Sequence, residues 1–428
     1  MSNQSAALEA LAKKSDKLAG EGYRVLGIAH RTLSEIPDDP KSCMEDLEFI
    51  GVVAMIDPLR PEVIDAIQHC REAEIKVAMV TGDHPQTATV LSNELGITRK
   101  GITREHDKTV TGTQLTEASN AGKSVFDTLA TSSRVFARVA PHQKMEIVES
   151  LIADGEFVAV TGDGINDAPA LKHAHVGIAM GKRGTDVARE SSDIILTDDN
   201  FTSIVQGIKQ GRIVYNNIRK VIYLLISTGA SEITLIILSI LFGMPLPLMP
   251  LQLLWLNLAT NGIQDKALAF EPEEGNELKK PPRSPDEPIF DRLMIERVLV
   301  SALYIGIVAF AVFSWLINSG MDEVAARNIT LLLMVLFENV HTLNSRSETA
   351  SLFRMNFFSN PFLLYGMLSA QFIHIGAMYT PGLSDILQIS PVSPVQWLQL
   401  LPIALSLIII DEAHKCWHKR HISNISSP

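Results

Sequence analysis

The 428-residue sequence predicts two dissimilar parts in series: a soluble α/β domain built on a doubly wound parallel sheet, then an all-α bundle of six membrane-spanning helices. Three observations carry that prediction. From Phe49 onward, short apolar β-forming runs alternate with helix-like segments, the order that yields parallel strands with helices on both faces. Near Tyr215 the pattern changes to apolar blocks long enough to cross a bilayer, separated by short polar joints. Upstream of that change, Phe157 to Leu171 (FVAVTGDGINDAPAL) sets two aspartates, an asparagine and a glycine turn directly behind a strand.

The soluble elements follow in order. FIGVVAMI, KVAMV, FVAV and HVGIAM read as strands, and Pro61–Glu74, Pro85–Leu95 and His142–Ala153 as helices. Pro61 and Pro85 stand at helix starts, where the missing N–H has no intrahelical partner to lose. Gly162 and Gly164 permit a tight turn after FVAV, and Ala168 to Lys172 begin a helix. Asp163 and Asp167 therefore lie at the carboxyl end of a parallel strand, where open α/β sheets bind ligands. Their hard oxygens suit Mg²⁺, and Asn166 can donate to a phosphoryl oxygen. An EF-hand is excluded because the twelfth position of such a loop is Ala174 rather than Glu. Thr81, Gly82 and Asp83 close KVAMV as a second phosphate-facing loop, within reach of Lys144. Each feature alone has a plainer reading: TGD as a common turn, Lys144 as a solvated charge, Asp57 with Arg60 as a surface ion pair.

Composition narrows the classes. The chain is 46% hydrophobic with a net charge of −11, and no basic stripe interleaved with aromatics points to nucleic acid. Cys43, Cys70 and Cys416 have neither disulfide-framework nor zinc spacing and read as reduced packing residues. The polar amino-terminal pattern has no apolar core of signal-peptide length, so insertion rests on the later spans.

Taken in order, DPLRPEV (Asp57 to Val63), MVTGDHPQTA (Met79 to Ala88), FARVAPHQK (Phe136 to Lys144) and VTGDGINDAPALKHAHVGIAMG (Val160 to Gly181) resemble successive signatures of the P-type cation-transporting ATPases. The resemblance runs from about Gly20 to the end. It implies a Rossmann-like phosphorylation domain of the haloacid-dehalogenase type, with Asp163, Asp167 and Lys144 as its hinge aspartates and lysine and Asp163 holding Mg²⁺. It further implies Asp57 and Arg60 near the ATP ribose and phosphates, Thr81 and Gly82 near the transferred phosphoryl group, and Arg138 near the nucleotide. One departure stands out. The family's nucleophile is the first aspartate of DKTGT, and no DKTGT occurs here. HDKTVTGTQL, containing Asp107, Lys108 and Thr109, imitates it with Val110 and Thr111 intruding, and Thr111 to Thr113 read as entry to a helix at Gln114. The phosphorylation domain is thus expected to be incomplete. The chain reads as the carboxyl-terminal part of a pump, or as a non-catalytic remnant or subunit that binds a separately encoded amino-terminal half. A membrane-bound phosphatase of the dehalogenase class also needs the missing nucleophile.

The expected organisation is residues 1–48 as the tail of a nucleotide-binding domain, 49–210 as the phosphorylation domain, 211–415 as the transport domain and 416–428 as a tail. Six spans are predicted: Tyr215–Phe242, Leu248–Phe270, Val298–Ile317, Ile329–Leu343, Pro361–Tyr379 and Val395–Ile410. The fourth is short and must borrow flanking residues or be shielded by neighbours. Lys and Arg cluster on alternate sides of the spans, with only Arg327 opposite, which predicts a cytoplasmic soluble domain and C-terminus. Inside the spans Glu232, Asn257, Thr260, Asn261, Asp265 and Glu338 supply carboxylate, amide and hydroxyl oxygens, the ligand set of a hard cation. Polar glue between helices is the alternative reading. By the resemblance Asn257 and Thr260 would be cation ligands. The nearest subfamily by this resemblance is the calcium pumps, but Asn261 stands where they have aspartate and Gly229 about where they have an amide, and both changes remove ligand strength. Asp265 beside Lys266 either compensates or forms an ion pair. Asp411, His414, Cys416 and His418 read as the membrane-exit edge of the last helix, with metal binding by the i, i+4 histidines as the less favoured alternative.

Overall fold

In the computed structural model, residues 11–18, 23–33, 47–55, 58–98 and 108–425 are described. The chain divides into two compact units: Met1–Lys209 with Leu278–Pro285, and Gln210–Glu277 with Asp286–Pro428.

The first unit opens with β1 (Arg24–His30) and β2 (Glu48–Met55), which pair with each other in antiparallel register. The sequence reading placed FIGVVAMI in the parallel sheet. Pairing partners lie far apart in sequence, so an apolar run discloses a strand without disclosing its neighbour. Next come α1 (Pro61–Glu72), β3 (Met79–Val80), α2 (Pro85–Glu94), β4 (Thr109–Thr111), α3 (Gly112–Ala121), α4 (Lys123–Ser132), β5 (Val135–Ala137) and α5 (Pro141–Ala153). Then follow β6 (Ala159–Gly162), a 3₁₀ turn (Ile165–Asp167), α6 (Ala168–His173), β7 (Val176–Met180), α7 (Asp186–Glu190) and β8 (Ile194–Leu196). The parallel strands form two sheets, in the orders β3-β5-β4 and β6-β7-β8. Val110, Leu115, Phe126, Phe136 and Ile147 make the core of the first, and Leu171, Ala179 and Ala188 that of the second. Thr111 caps α3: its hydroxyl accepts from Gln114 N, and Gln114 Oε1 accepts from Thr111 N, a reciprocal box that enters the helix as the sequence predicts.

The second unit is helical. α8 (Phe201–Leu241) runs from the first unit into it; then come α9 (Pro250–Trp255), a π turn (Leu256–Asn261), α10 (Gly262–Leu268), α11 (Arg292–Asn318), α12 (Glu323–Asn344), α13 (Pro361–Tyr379), α14 (Leu383–Leu387) and α15 (Pro394–Ile425). Five of these (α8, α11, α12, α13 and α15) are long and apolar enough to cross a membrane. The predicted span Leu248–Phe270 is the broken run α9–π turn–α10. The predicted short span is α12, which gains a turn and a half from Glu323 onward and is the most enclosed helix, with Leu331 to Val335 fully buried. Where α8 meets α11, Gly306 lets the backbones approach: a Cβ there would lie 2.6 Å from Thr234 Cβ and 2.8 Å from Ser231 O.

Candidate functional sites

Two sites are built, one in each unit. In the first, β6 ends in Gly162, and the chain turns at once through Asp163 and Gly164. Only glycine fits at 162, because a Cβ would lie 2.5 Å from Asp167 Cβ. Asp167 holds the turn: its Oδ2 accepts from the backbone N–H groups of Asp163 (3.3 Å) and Gly164 (3.2 Å), while Oδ1 accepts from Lys144 Nζ at 2.6 Å. Lys144 and Asp167 are both largely buried, so this pair is a fixed element of the site. The Asp163 carboxylate is exposed and accepts no hydrogen bond among the described residues, and Asn166 beside it is also exposed. Such a free, solvent-facing carboxylate fits a Mg²⁺ ligand.

The TGD loop is organised the same way: Asp83 N donates to Thr81 Oγ1 (3.1 Å), and that hydroxyl donates to Asp83 Oδ2 (3.2 Å). Arg138, in the left-handed region with φ of 50°, joins this loop through its N–H to Asp83 O. Arg60 lies elsewhere, donating from Nη1 to Asp199 O at 3.1 Å, and Asp57 and Asp107 fall outside the described residues. Asp198 and Asp199 anchor the approach to α8. Asp199 accepts from the N–H groups of Lys182 and Arg183, which hold its carboxyl below the usual 3.8, and Ser203 donates to Asp198 with the same effect.

The second site lies between α8, the π turn and α12. Glu338, 1% exposed, accepts from Thr260 Oγ1 at one oxygen and from Asn261 Nδ2 (3.2 Å) at the other. Asn261 Nδ2 also lies 3.2 Å from Thr228 Oγ1 on α8. Glu232 on α8 accepts from Asn257 Nδ2 at 3.1 and 3.2 Å. Asn261 Oδ1 is buried and accepts no hydrogen bond among the described residues. Acid, amide and hydroxyl oxygens from three helical segments thus converge, with an unspent carbonyl oxygen among them. Asn257, Thr260 and Asn261 all belong to the π turn, a backbone form that favours functional sites.

Asp265 does not join them. Its Oδ1 accepts from Lys266 N, and among the described residues no ion pair joins the two side chains. Offsets of three, four and seven residues from Asn257 fall on Thr260, Asn261 and Gln264, so Gln264 rather than Asp265 takes the inward position. There its side chain bonds Thr342 and Asn339. Thr228 and Gln264 were missed by the sequence reading, although each is a polar residue in an apolar run. Gly229 has open space around it. At the far end of α15, Asp411 is buried with Arg297 and Lys415, and His414 stacks on His418. Among the described residues no group of three or more His, Cys, Asp or Glu is placed to hold a metal ion.

Two aspartates and a lysine at a strand-end turn, followed in one chain by helices long and apolar enough to cross a membrane, are the combination that the resemblance to the P-type cation-transporting ATPases implies. The family models agree in chain order: haloacid dehalogenase-like hydrolase over residues 6–175, and cation transporting ATPase, C-terminus, over residues 245–417. The chain belongs to the P-type cation-transporting ATPases and matches their carboxyl-terminal portion. It is 37% identical over 394 residues to the Calcium-transporting ATPase of Bacillus subtilis, covering 91% of this chain and 43% of that one. Cation-transporting ATPase pma1 of Synechocystis sp. is 38% identical over 399 residues, covering 90% and 43%. Calcium-transporting ATPase 4, endoplasmic reticulum-type, of Arabidopsis thaliana is 34% identical over 449 residues, covering 90% and 41%. The chain spans less than half the length of these relatives.

Proposed function

We propose that the chain is the carboxyl-terminal part of an ATP-driven pump that moves a hard cation, Ca²⁺ being the favoured cargo, across a membrane. The observation that carries this reading is the convergence of Glu338, Thr260 and Asn261 inside the helical unit, with Asn261 Oδ1 left for a ligand. Buried carboxylates in a membrane bundle are costly unless they serve an ion or proton. Glu338, Glu232, Asn257, Thr260 and Asn261 are the proposed cation ligands, with Thr228 positioning Asn261. Asp265 is left out.

In the soluble unit Asp163 is the proposed Mg²⁺ ligand, and Mg²⁺ held there would neutralise charge on the phosphoryl group of ATP or of a phosphorylated aspartate. Lys144 offers its ammonium to the same anion and fixes Asp167. Asp167 sets the turn, Asn166 donates from its amide, and Thr81, Gly82 and Asp83 line the opposite loop. Arg60, Arg138 and Asp57 are assigned by family resemblance to the nucleotide. The Lys and Arg distribution supports a cytoplasmic soluble unit and C-terminus.

The test is equilibrium binding of radiolabelled Ca²⁺ to the purified chain in detergent. Glu338→Gln and Glu232→Gln are each expected to weaken binding by about tenfold or more, since each removes a charged ligand from a site shielded from water, roughly 1.4 kcal/mol per decade. Unchanged affinity in both variants, with normal folding, refutes the assignment.

A further inference from the structure

A cleft of about 1160 Å³ opens along one side of α4 in the first unit, and none of the residues proposed above for Mg²⁺, the phosphoryl group, the nucleotide or the cation lines it. The helical repeat sets its long wall: Ser124, Thr128 and Ser132 follow one another at i, i+4 and i+8, with Val125 and Leu129 in the next row. At about 1.5 Å per residue, that wall is about 12 Å long. The rest comes from α2 and from β4 with Lys108 ahead of it, and Thr89 on α2 and Thr109 on β4 share a hydroxyl–hydroxyl bond of 2.6 Å that ties the two together. Ser133, which follows α4 and lines the cleft, is 7% exposed, and its hydroxyl has no hydrogen-bond partner among the described residues. A buried hydroxyl left unpaired is costly, so this group lacks a ligand. Thr109 is in register with Val135, which sets Lys108 beside Arg134 and so at the Ser133 end of the cleft. At the other end α4 starts at Gly122 without a side-chain cap, and the Ser124 N–H in its first turn has no acceptor among the described residues.

We propose that this cleft binds a hydroxyl-rich organic oxyanion, a sugar phosphate or a sugar acid. The chemistry follows from the lining. Among the described residues it holds one lysine and no Asp or Glu, so its charge favours an anion. It holds no aromatic residue, so it has no platform on which a nucleobase would stack. Hydroxyls and amides, Thr89, Gln114, Ser124 and Thr128 among them, offer partners to a ligand with many hydroxyls, and Val125 and Leu129 offer apolar surface to its C–H groups. The anionic group takes Lys108 Nζ and Ser133 Oγ at one end, as charge-assisted hydrogen bonds, and the far hydroxyls reach the Ser124 N–H at the other. The volume is just above the range of about 300–1,000 Å³ usual for small-molecule sites, far more than a lone ion fills.

The experiment is amide hydrogen exchange, read by mass spectrometry, on the full chain in detergent without Mg²⁺, with glucose 6-phosphate, gluconate and glucose as probes. Either anion is expected to slow exchange in residues 108–114 and 123–133 while leaving 163–167 unchanged, and glucose should do much less. The tighter of the two anions assigns the ligand as a phosphate ester or as a sugar acid. Ser133→Ala and Lys108→Gln should each weaken the effective anion by about tenfold, with unchanged exchange in β6 to β8 showing that the fold is kept. No slowing with either anion overturns the proposal, as does equal slowing with glucose. Slowing confined to 163–167 overturns it in favour of the strand-end turn, and unchanged affinity in both variants overturns the placement of the anion. These outcomes do not depend on Ca²⁺ or Mg²⁺, so the cleft and the proposed pump sites fail separately.

Discussion

The buried pair Glu271–Arg346 provides a quantitative test of how the helical unit is held together. Both side chains are 1% exposed. Arg346 Nε meets Glu271 Oε1 at 2.7 Å, and the guanidinium also donates to Asn356 O and Phe357 O at 3.3 Å and to Ser359 Oγ at 2.6 Å. Glu271 Oε2 has one further donor, Asn360 Nδ2, at 2.8 Å. Replacing Arg346 by Met strands a buried carboxylate with a single neutral donor, for which about 3–5 kcal/mol is expected. A Coulomb estimate of about 4 kcal/mol, for unit charges about 4 Å apart at an effective dielectric near 20, agrees. Glu271→Gln leaves the guanidinium with three oxygen acceptors and an amide oxygen, so its loss should be smaller, about 1.5–3 kcal/mol. The double variant should cost less than the sum of the two, because neither charge is then left alone. All four tryptophans (255, 315, 397 and 417) belong to the helical unit, so fluorescence during denaturant unfolding in mixed micelles reports on that unit alone. A loss below about 1 kcal/mol for Arg346→Met, or a larger loss for Glu271→Gln, would refute the reasoning.

Two further outcomes are expected. Asp198 and Asp199 have folded values below the usual 3.8, so the stability they lend is complete above that pH and is lost as pH falls through their lower folded values; exchange protection of residues 181–185 should drop over that acid range in the full chain and become insensitive to it in Asp199→Asn. At the α8–α11 crossing, Gly306→Ala should destabilise the helical unit by about 1–3 kcal/mol through overpacking, and Thr234→Ala should not rescue it, because the atom in the way is a Cβ that alanine retains.

What the sequence disclosed and what it withheld separate along physical lines. The strand-end turn at Asp163–Asp167 was legible because glycine and aspartate at fixed offsets state a backbone conformation, and the structure forms it with Gly162 pressed against Asp167. The membrane helices were legible because hydropathy is a local sum. The antiparallel pairing of Glu48–Met55 with Arg24–His30 was not, since strand partners are chosen by tertiary context. Asp265 was misplaced because successive steps of four from Asn257 drift about 40° each around a helix, which carries Asp265 off the face that Gln264, seven residues on, occupies. Arg297 and Asp411 lie at span ends, where topology bias already accounted for charge, so their mutual burial went unread.

The π turn has a consequence for how the oxygens in the helical unit are apportioned. Because an α-helix advances about 100° per residue, the surplus residue between Leu256 and Asn261 leaves α9 and α10 out of phase by about that angle, and the run from Pro250 to Leu268 presents two faces where a regular helix would present one. Asn257 turns toward Glu232 with the first phase; Thr260 and Asn261 turn toward Glu338 with the second. Which polar side chains meet Glu232 and which meet Glu338 is thereby tied to a single backbone dislocation.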